Sequence, residues 1–389
     1  MKTVLSPRIQ KLNPSPTFAL DEKVKDMQKK GIDIINLGIG EPDFDTPVFI
    51  RKEAIRAINE GFTHYTQTAG IPELRKAISE KFKKENNIDY QPSQIIVGSG
   101  SKPLLYFAFQ ALCEKGREVV IPVPTWSSYV EQVKLSGTTP VFLPLEPPFK
   151  LTAKAAAKKI TAKTSVILLN SPSNPTGAII EKGELKKIAD LANKFKIWVI
   201  SDEIYEKIIF GGKHVSIASL AKNIYERTIT VNGFSKTYAM TGWRIGYAGG
   251  PQEVITAMSN LQGHVTANAS SISQMAAYAA LTGAKTPVRK MVQEFTKRRD
   301  FLIREIGKIP QLESIPPEGS FFFFIGINKL GKKYATSNQW CEALLEKKRV
   351  AVIPGEAFFK PGFFRISFAV PLGKLKMAVI KINEFVNDK

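Results

Sequence analysis

Gly233-Phe234-Ser235-Lys236-Thr237-Tyr238-Ala239-Met240-Thr241-Gly242-Trp243-Arg244-Ile245-Gly246 sets one lysine in a short polar turn and an arginine eight residues beyond it. A lysine amine forms a Schiff base with an aldehyde, and a guanidinium fork holds a phosphate at two oxygens. The pairing therefore suits an aldehyde cofactor that carries a phosphate. The chain has 55 Lys and Arg residues, so an arbitrary lysine of this kind reads as a solvated surface charge. What lies to either side of the stretch decides between the two.

Between residues 94 and 250, β-rich runs at 94–97, 118–122, 140–145, 165–170, 197–202, 228–231 and 244–249 alternate with helical stretches. This rhythm predicts an α/β domain with a mostly parallel seven-stranded sheet flanked by helices. In open sheets of this kind ligands collect beyond the carboxyl ends of the strands, where Asn170, Asp202 and the turn 232–236 would stand. From about residue 290 a charged helix, strands at 319–325, 349–354 and 364–368, and a final helix predict a smaller α+β domain. The expected division is an N-terminal segment at 1–45 joining the small domain, a large domain at 46–288 and the small domain at 289–389.

Composition narrows the class further. The 389 residues suit one large and one smaller domain, and no run of about eighteen apolar residues interrupts them. The opening Met1-Lys2-Thr3-Val4-Leu5-Ser6-Pro7-Arg8 lacks the apolar stretch of a signal peptide, so a soluble, cytoplasmic protein is expected. Cys113 and Cys341 stand far apart and read as small buried hydrophobes, while His64, His214 and His264 are isolated, so no metal site is expected. The formal charge of +20 raises nucleic acid, a membrane surface or anionic substrates as partners. Its lysine clusters, such as Lys81-Phe82-Lys83-Lys84, lie in or beside helical patterns and read as solvated surface, so neither nucleic acid nor a membrane is expected.

The fourteen-residue stretch resembles the cofactor-lysine signature of the class I and II aminotransferases, the fold type I transferases dependent on pyridoxal phosphate. The resemblance covers nearly the whole chain and implies that Lys236 holds the cofactor as a Schiff base, with Ser235 and Arg244 on its phosphate. Gly100, Ser101 and Lys102, where an apolar strand enters a helix, match the family's phosphate loop. Asp202 matches the carboxylate paired with the pyridine nitrogen, Tyr205 the tyrosine on the ring's phenolic oxygen, and Trp126 the aromatic plate stacked on the ring. Asn174, in Asn174-Pro175-Thr176-Gly177, matches the amide that meets both cofactor and substrate. Arg365, alone among Phe363, Phe364 and Phe368, matches the arginine that clamps the substrate α-carboxylate, and Gly40 the glycine beside it. Tyr65 matches a tyrosine that reaches the phosphate of a neighbouring subunit, which implies a homodimer with shared active sites.

The implied reaction is ping-pong transfer of an amino group, with Lys236, Asp202 and Tyr205 as the catalytic group. In relatives of the bacterial aspartate aminotransferase type (subgroup Ib, or Iγ), a lysine at the position of Lys102 and hydroxyls at Ser15 and Thr17 recognise a distal carboxylate. Aspartate and glutamate are therefore the expected donors, with 2-oxoglutarate and oxaloacetate as acceptors. Relatives that also transaminate prephenate carry a lysine and an arginine where this chain has Asn13 and Lys163. Aromatic or prephenate transamination, β-elimination by a lyase, and a catalytically silent effector-binding role stay open as alternatives.

Overall fold

The computed structural model describes residues 5–10, 12–327 and 334–388. Residues 1–4, read above with the start of the chain, lie outside the described residues.

Eight strands precede the long helix Thr286–Ile306. They are β1 (Ile35–Asn36), β2 (Ile95–Gly98), β3 (Glu118–Val123), β4 (Thr139–Pro144), β5 (Thr164–Asn170), β6 (Trp198–Asp202), β7 (Thr228–Gly233) and β8 (Gly246–Gly249). The seven from β2 onward form one sheet in the order β2-β8-β7-β6-β5-β3-β4. The expected strands are all present, with ends shifted by one to two residues. Five pair in parallel, while β8 runs antiparallel between β2 and β7.

The central strands are apolar without alternation because helices cover both faces of the sheet. In β5, Val166, Ile167, Leu168 and Leu169 are each buried, as are Val199 and Ile200 of β6. Helix Ser101–Leu112 packs Leu104, Leu105, Ala108 and Phe109 into the cluster that holds Ile200, Ile229 and Val231. That helix begins at Ser101, directly after the glycine at 100, and ends at Leu112. Parallel register then fixes the site: Asn170 lies beside Asp202, and Asp202 beside Val231, at the carboxyl ends of β5, β6 and β7.

Beyond the long helix the chain adds β9 (Glu313–Ser314), β10 (Phe322–Gly326), β11 (Val350–Ala351), β12 (Ile353–Pro354) and β13 (Phe363–Ser367). A second sheet has the order β12-β13-β10-β9, all antiparallel. Phe322, Phe323 and Phe364, with Trp340 and the final helix Leu372–Asn387, form one core in which Trp340 stacks on Phe364 at 4.7 Å, while Phe324 and Phe363 pack with Ile167 and Leu169 of the large sheet. Strand β1 pairs in parallel with β11 in a two-stranded sheet of their own, and the Ser367 amide of β13 donates to the Leu37 carbonyl at 2.7 Å, so the segment before residue 45 is tied to this part of the chain by backbone hydrogen bonds. Among the described residues no helix is long and apolar enough to cross a membrane.

Cys341 is buried as expected, whereas Cys113 is only partly covered, with the Ser165 hydroxyl 3.9 Å from its sulfur. Lys81 departs from its reading as solvated surface. It is buried and pairs with Glu206.

Candidate active site

Between the two sheets opens a cleft of about 570 Å³, and most of the expected site residues line it. Its floor is the edge where β6 and β7 end. Asp202, the last residue of β6, is 3% exposed. Its carboxylate accepts hydrogen bonds from the Tyr129 hydroxyl at 2.6 Å and the Ile204 amide at 3.1 Å. Burial pushes its pKa up to about 6, against those two hydrogen bonds, while the neighbouring Glu203 adds to the rise. A buried carboxylate of this kind is stabilised as an anion by a cation placed before it.

Lys236 stands in the turn just past β7, partly buried, with its ammonium on the Gly40 carbonyl. Desolvation brings its pKa down to about 8; Glu41 opposes the change, and Arg244 and Arg365 reinforce it. An amine tuned this way is neutral and nucleophilic far more often than an exposed lysine. Tyr205 lies beside it on the floor, 5% exposed, with its ring edge-on to Phe321 and Phe322 at 5.5 and 5.8 Å. Burial raises the pKa of its hydroxyl, so it remains a proton donor across the neutral range.

One end of the cleft has the makings of an anion seat. Gly100 has φ of 96°, a conformation that favours glycine, and a Cβ there would stand 2.7 Å from Arg244 Nη2. The missing side chain lets the guanidinium lie against the N-terminus of helix Ser101–Leu112, where unpaired amides and the positive end of the helix dipole already favour an anion. Ser101 is oriented by a 2.8 Å hydrogen bond from its hydroxyl to the Asn232 carbonyl, and Ser235 lines the same end. Two cations with no carboxylate between them, Arg244 and Lys102, face one another there. The Lys102 pKa is lowered, first by burial and then by Arg244.

Opposite the anion seat, Arg365 projects from the middle of β13 and is 2% exposed. Its Nη1 donates to Asn174 Oδ1 at 3.0 Å and its Nη2 to the Gly38 carbonyl at 2.8 Å, which leaves Nε buried without a partner. Among the described residues no carboxylate pairs with it. Phe322 and Phe358 sandwich the guanidinium at 4.1 and 4.9 Å, and burial brings its pKa down to about 10. A buried cation with an orphaned donor is half of an ion pair, and the missing half is an anion entering from the cleft.

Trp126, Thr17, Lys102 and Gly40 line the cleft with the residues above. The Lys102 ammonium sits 4.6 Å above the Trp126 ring and 5.2 Å from that of Phe18. Ser15 caps the next helix, Pro16–Lys29, and is not part of the wall; its hydroxyl reaches the site only through Thr17, 3.0 Å away. Tyr65 is 89% exposed and stands outside the cleft of its own chain. Tyr129 carried no role in the sequence reading, although it follows Trp126 by three residues on one helix face, a spacing that places both on the same wall.

The model of the family described as "Aminotransferase class I and II" matches residues 32–382. An aspartate aminotransferase of Bacillus sp. (strain YM-2) is 42% identical over 391 aligned positions, covering 99% of this chain and 100% of that one. A probable aspartate/prephenate aminotransferase of Rickettsia typhi is 45% identical, with 99% of both chains covered. Among solved structures, the aspartate aminotransferase of Rhizobium meliloti superposes with a TM-score of 0.95 at 39% identity over 99% of both chains. That of Thermus thermophilus with maleate gives 0.95 at 36% identity, covering 98% of this chain and 100% of that one.

Proposed function

The chain belongs to the class I and II aminotransferases, with their fold type I architecture, and from that premise we propose that it binds pyridoxal phosphate and moves amino groups between aspartate or glutamate and the matching keto acids. The observation that carries this reading is the pair of opposed seats in one cleft, Arg365 with its orphaned Nε at one end and Arg244 against Gly100 at the other. Between them stand a depressed-pKa lysine and a buried carboxylate.

The residues fit the cofactor. Ser101, the backbone amide of Lys102, Ser235 and Arg244 would hold its phosphate, Trp126 would cover the ring, and Asp202 would hold the proton on the ring nitrogen. Pyridoxal phosphate, when bound, supplies an electron sink that stabilises negative charge on the substrate α-carbon. Arg365 clamps the incoming α-carboxylate with the guanidinium donors that Asn174 and Gly38 leave free, Nε among them, and the Asn174 amide, already bonded to Arg365, keeps the guanidinium in place. Lys236 Nζ, partly neutral at physiological pH because its pKa is lowered to about 8, takes the α-proton and returns it as the ammonium. Tyr205 donates from its hydroxyl, and Tyr129 keeps Asp202 aimed at the cleft.

For the substrate side chain, Lys102 with Thr17 and Ser15 offers one cation and two hydroxyls to a distal carboxylate. The relative solved with maleate, a four-carbon dicarboxylate, supports that reading. The full exposure of Tyr65 supports a homodimer in which it serves the partner's cleft, beside a second hollow of about 500 Å³ that shares Arg244. Among the described residues no strand is shared by the two main sheets, which supports the division at residues 45 and 288. Prephenate is the second reading, because 45%-identical relatives carry that name. Its test is an assay of catalytic efficiency with aspartate, glutamate, phenylalanine and prephenate or its amino product. Dicarboxylates ahead of the rest fit the proposal; aromatic substrates ahead, or pyruvate and ammonia formed without a keto acid, contradict it.

A further inference from the structure

Behind the strand that carries Asp202 lies a second group of buried charges that the chemistry above does not use. Asp202 and Tyr205 line the cleft, while Glu203 and Glu206, on the same segment, do not. Glu203, 0% exposed, accepts hydrogen bonds from the Ser201 hydroxyl at 3.0 Å, the Ser216 hydroxyl at 2.5 Å and His214 Nε2 at 2.8 Å. Glu206 pairs with the buried Lys81 and accepts from Asn86 Nδ2 at 2.7 Å. The same Asn86 nitrogen reaches Ser216 Oγ at 2.8 Å and so joins the two halves.

Glu203, Glu206 and His214 bring their polar atoms within 4.8 Å of one another, a spacing that a metal ion could use. Lys81 already supplies the cation on Glu206, so the group balances its own charge once His214 is protonated: two cations against two carboxylates. Burial opposes the charged imidazole, yet the charge and hydrogen bond of Glu203, helped by Glu206, lift the His214 pKa above its ordinary value.

We propose that His214 is a positioning residue for the cofactor site, its imidazolium cancelling the charge of Glu203 so that Asp202, next in sequence, stays ionised toward the bound cofactor. The inference rests on the pyridoxal phosphate reading given above. Glu203 favours the neutral form of Asp202, in the same direction as burial. The groups facing Asp202 are Tyr129 from its helix, Lys236 from the turn after β7, and Glu203 on its own segment. Those facing His214 are Glu203, Glu206 and Lys81. Of the latter set, the ring is the member whose charge a neutral substitution removes while Lys81–Glu206 remains a closed pair.

The test uses the full-length protein stripped of cofactor, with two readouts at about pH 5, below the Asp202 pKa of about 6: the dissociation constant for pyridoxal phosphate, and the unfolding midpoint without it. His214→Gln keeps a hydrogen-bond donor but loses the charge, and is expected to bind the cofactor about tenfold more weakly, the equivalent of one unit in the Asp202 pKa. Glu203→Gln removes the offending anion and is expected to bind the cofactor at least as tightly as the parent, to within about twofold. The double variant Glu203→Gln/His214→Gln, with neither charge, is expected to return to within about twofold of the parent, a coupling that independent structural damage would not produce. A double variant as weak as His214→Gln, or a His214→Gln protein that binds like the parent, overturns the proposal. If His214→Gln unfolds, Glu203→Gln decides alone: weakening of tenfold or more contradicts the charge role. A parent protein that takes up no pyridoxal phosphate at all overturns the underlying reading and this one with it.

Discussion

On the floor of the cleft, Asp202 is held by two hydrogen bonds and Arg365 by two more, each group being at most 3% exposed. At the rim, Phe18 is 61% exposed, and Asn13, before it in the chain and outside the cleft lining, is held among the described residues by hydrogen bonds of 3.2 and 3.3 Å to Glu131 on an exposed surface. The floor is made of strand ends fixed by the register of a buried sheet; the rim is a helix start resting on the outside. Chemistry that tolerates little misplacement is built into the first, and the selection of side chains is left to the second. Substitutions on the floor should therefore abolish the reaction with every donor, and those at the rim should change which donor is preferred.

Lys236→Ala tests the floor hardest. It should lower kcat by about a thousandfold or more for all donors, as expected for loss of a general base, while far-ultraviolet circular dichroism shows the fold retained. Arg365→Lys keeps the charge but not the fork, and should reduce kcat/KM by about a hundredfold with aspartate and alanine alike, measured by steady-state kinetics. The Lys236 amine gives a pH test of the same region. With its pKa lowered to about 8, capture of pyridoxal phosphate by the stripped protein should slow roughly tenfold per pH unit below that value and level off above it, followed by stopped-flow absorbance. The stability linkage has the matching sign. This depressed amine favours the folded, cofactor-free protein most above pH 10.5, and the contribution is lost as pH falls through about 8.

Lys102→Ala addresses the rim and sharpens the contrast. It should cost about tenfold in kcat/KM for dicarboxylate donors and much less for alanine, as for a single charge-assisted contact. Equal losses for both would mean that Lys102 belongs to the floor after all. Tyr129→Phe is the mildest. It removes one hydrogen bond to Asp202 and should weaken cofactor binding by roughly fivefold, as read by equilibrium titration.

The strands of the large sheet were legible because central parallel strands are continuous apolar runs, and several, such as β5 at Asn170 and β6 at Asp202, end in polar residues. The lysine turn, Asp202 and Asn174 were legible through the resemblance of their motifs to the family's, while Arg365 also stands out by itself as a lone charge among phenylalanines. Strand β9, two residues long, carries no periodicity to detect. The network around Glu203 joins positions 81, 86, 203, 206, 214 and 216, and Lys81 was hidden in a lysine-rich stretch that looks like ordinary surface. A partner 125 residues away in sequence leaves no local signal that marks it as buried. The Tyr129 contact was missed for the same reason, since its acceptor lies on a strand that becomes a neighbour only after the sheet has formed.

The most direct test of the two-seat cleft is an absorbance titration of the purified protein carrying pyridoxal phosphate, first with aspartate and then with 2-oxoglutarate. The account predicts that aspartate abolishes the absorbance band of the lysine-bound cofactor and that 2-oxoglutarate restores it, each near one equivalent of active sites. A band that aspartate leaves unchanged, or that 2-oxoglutarate does not restore, would contradict it.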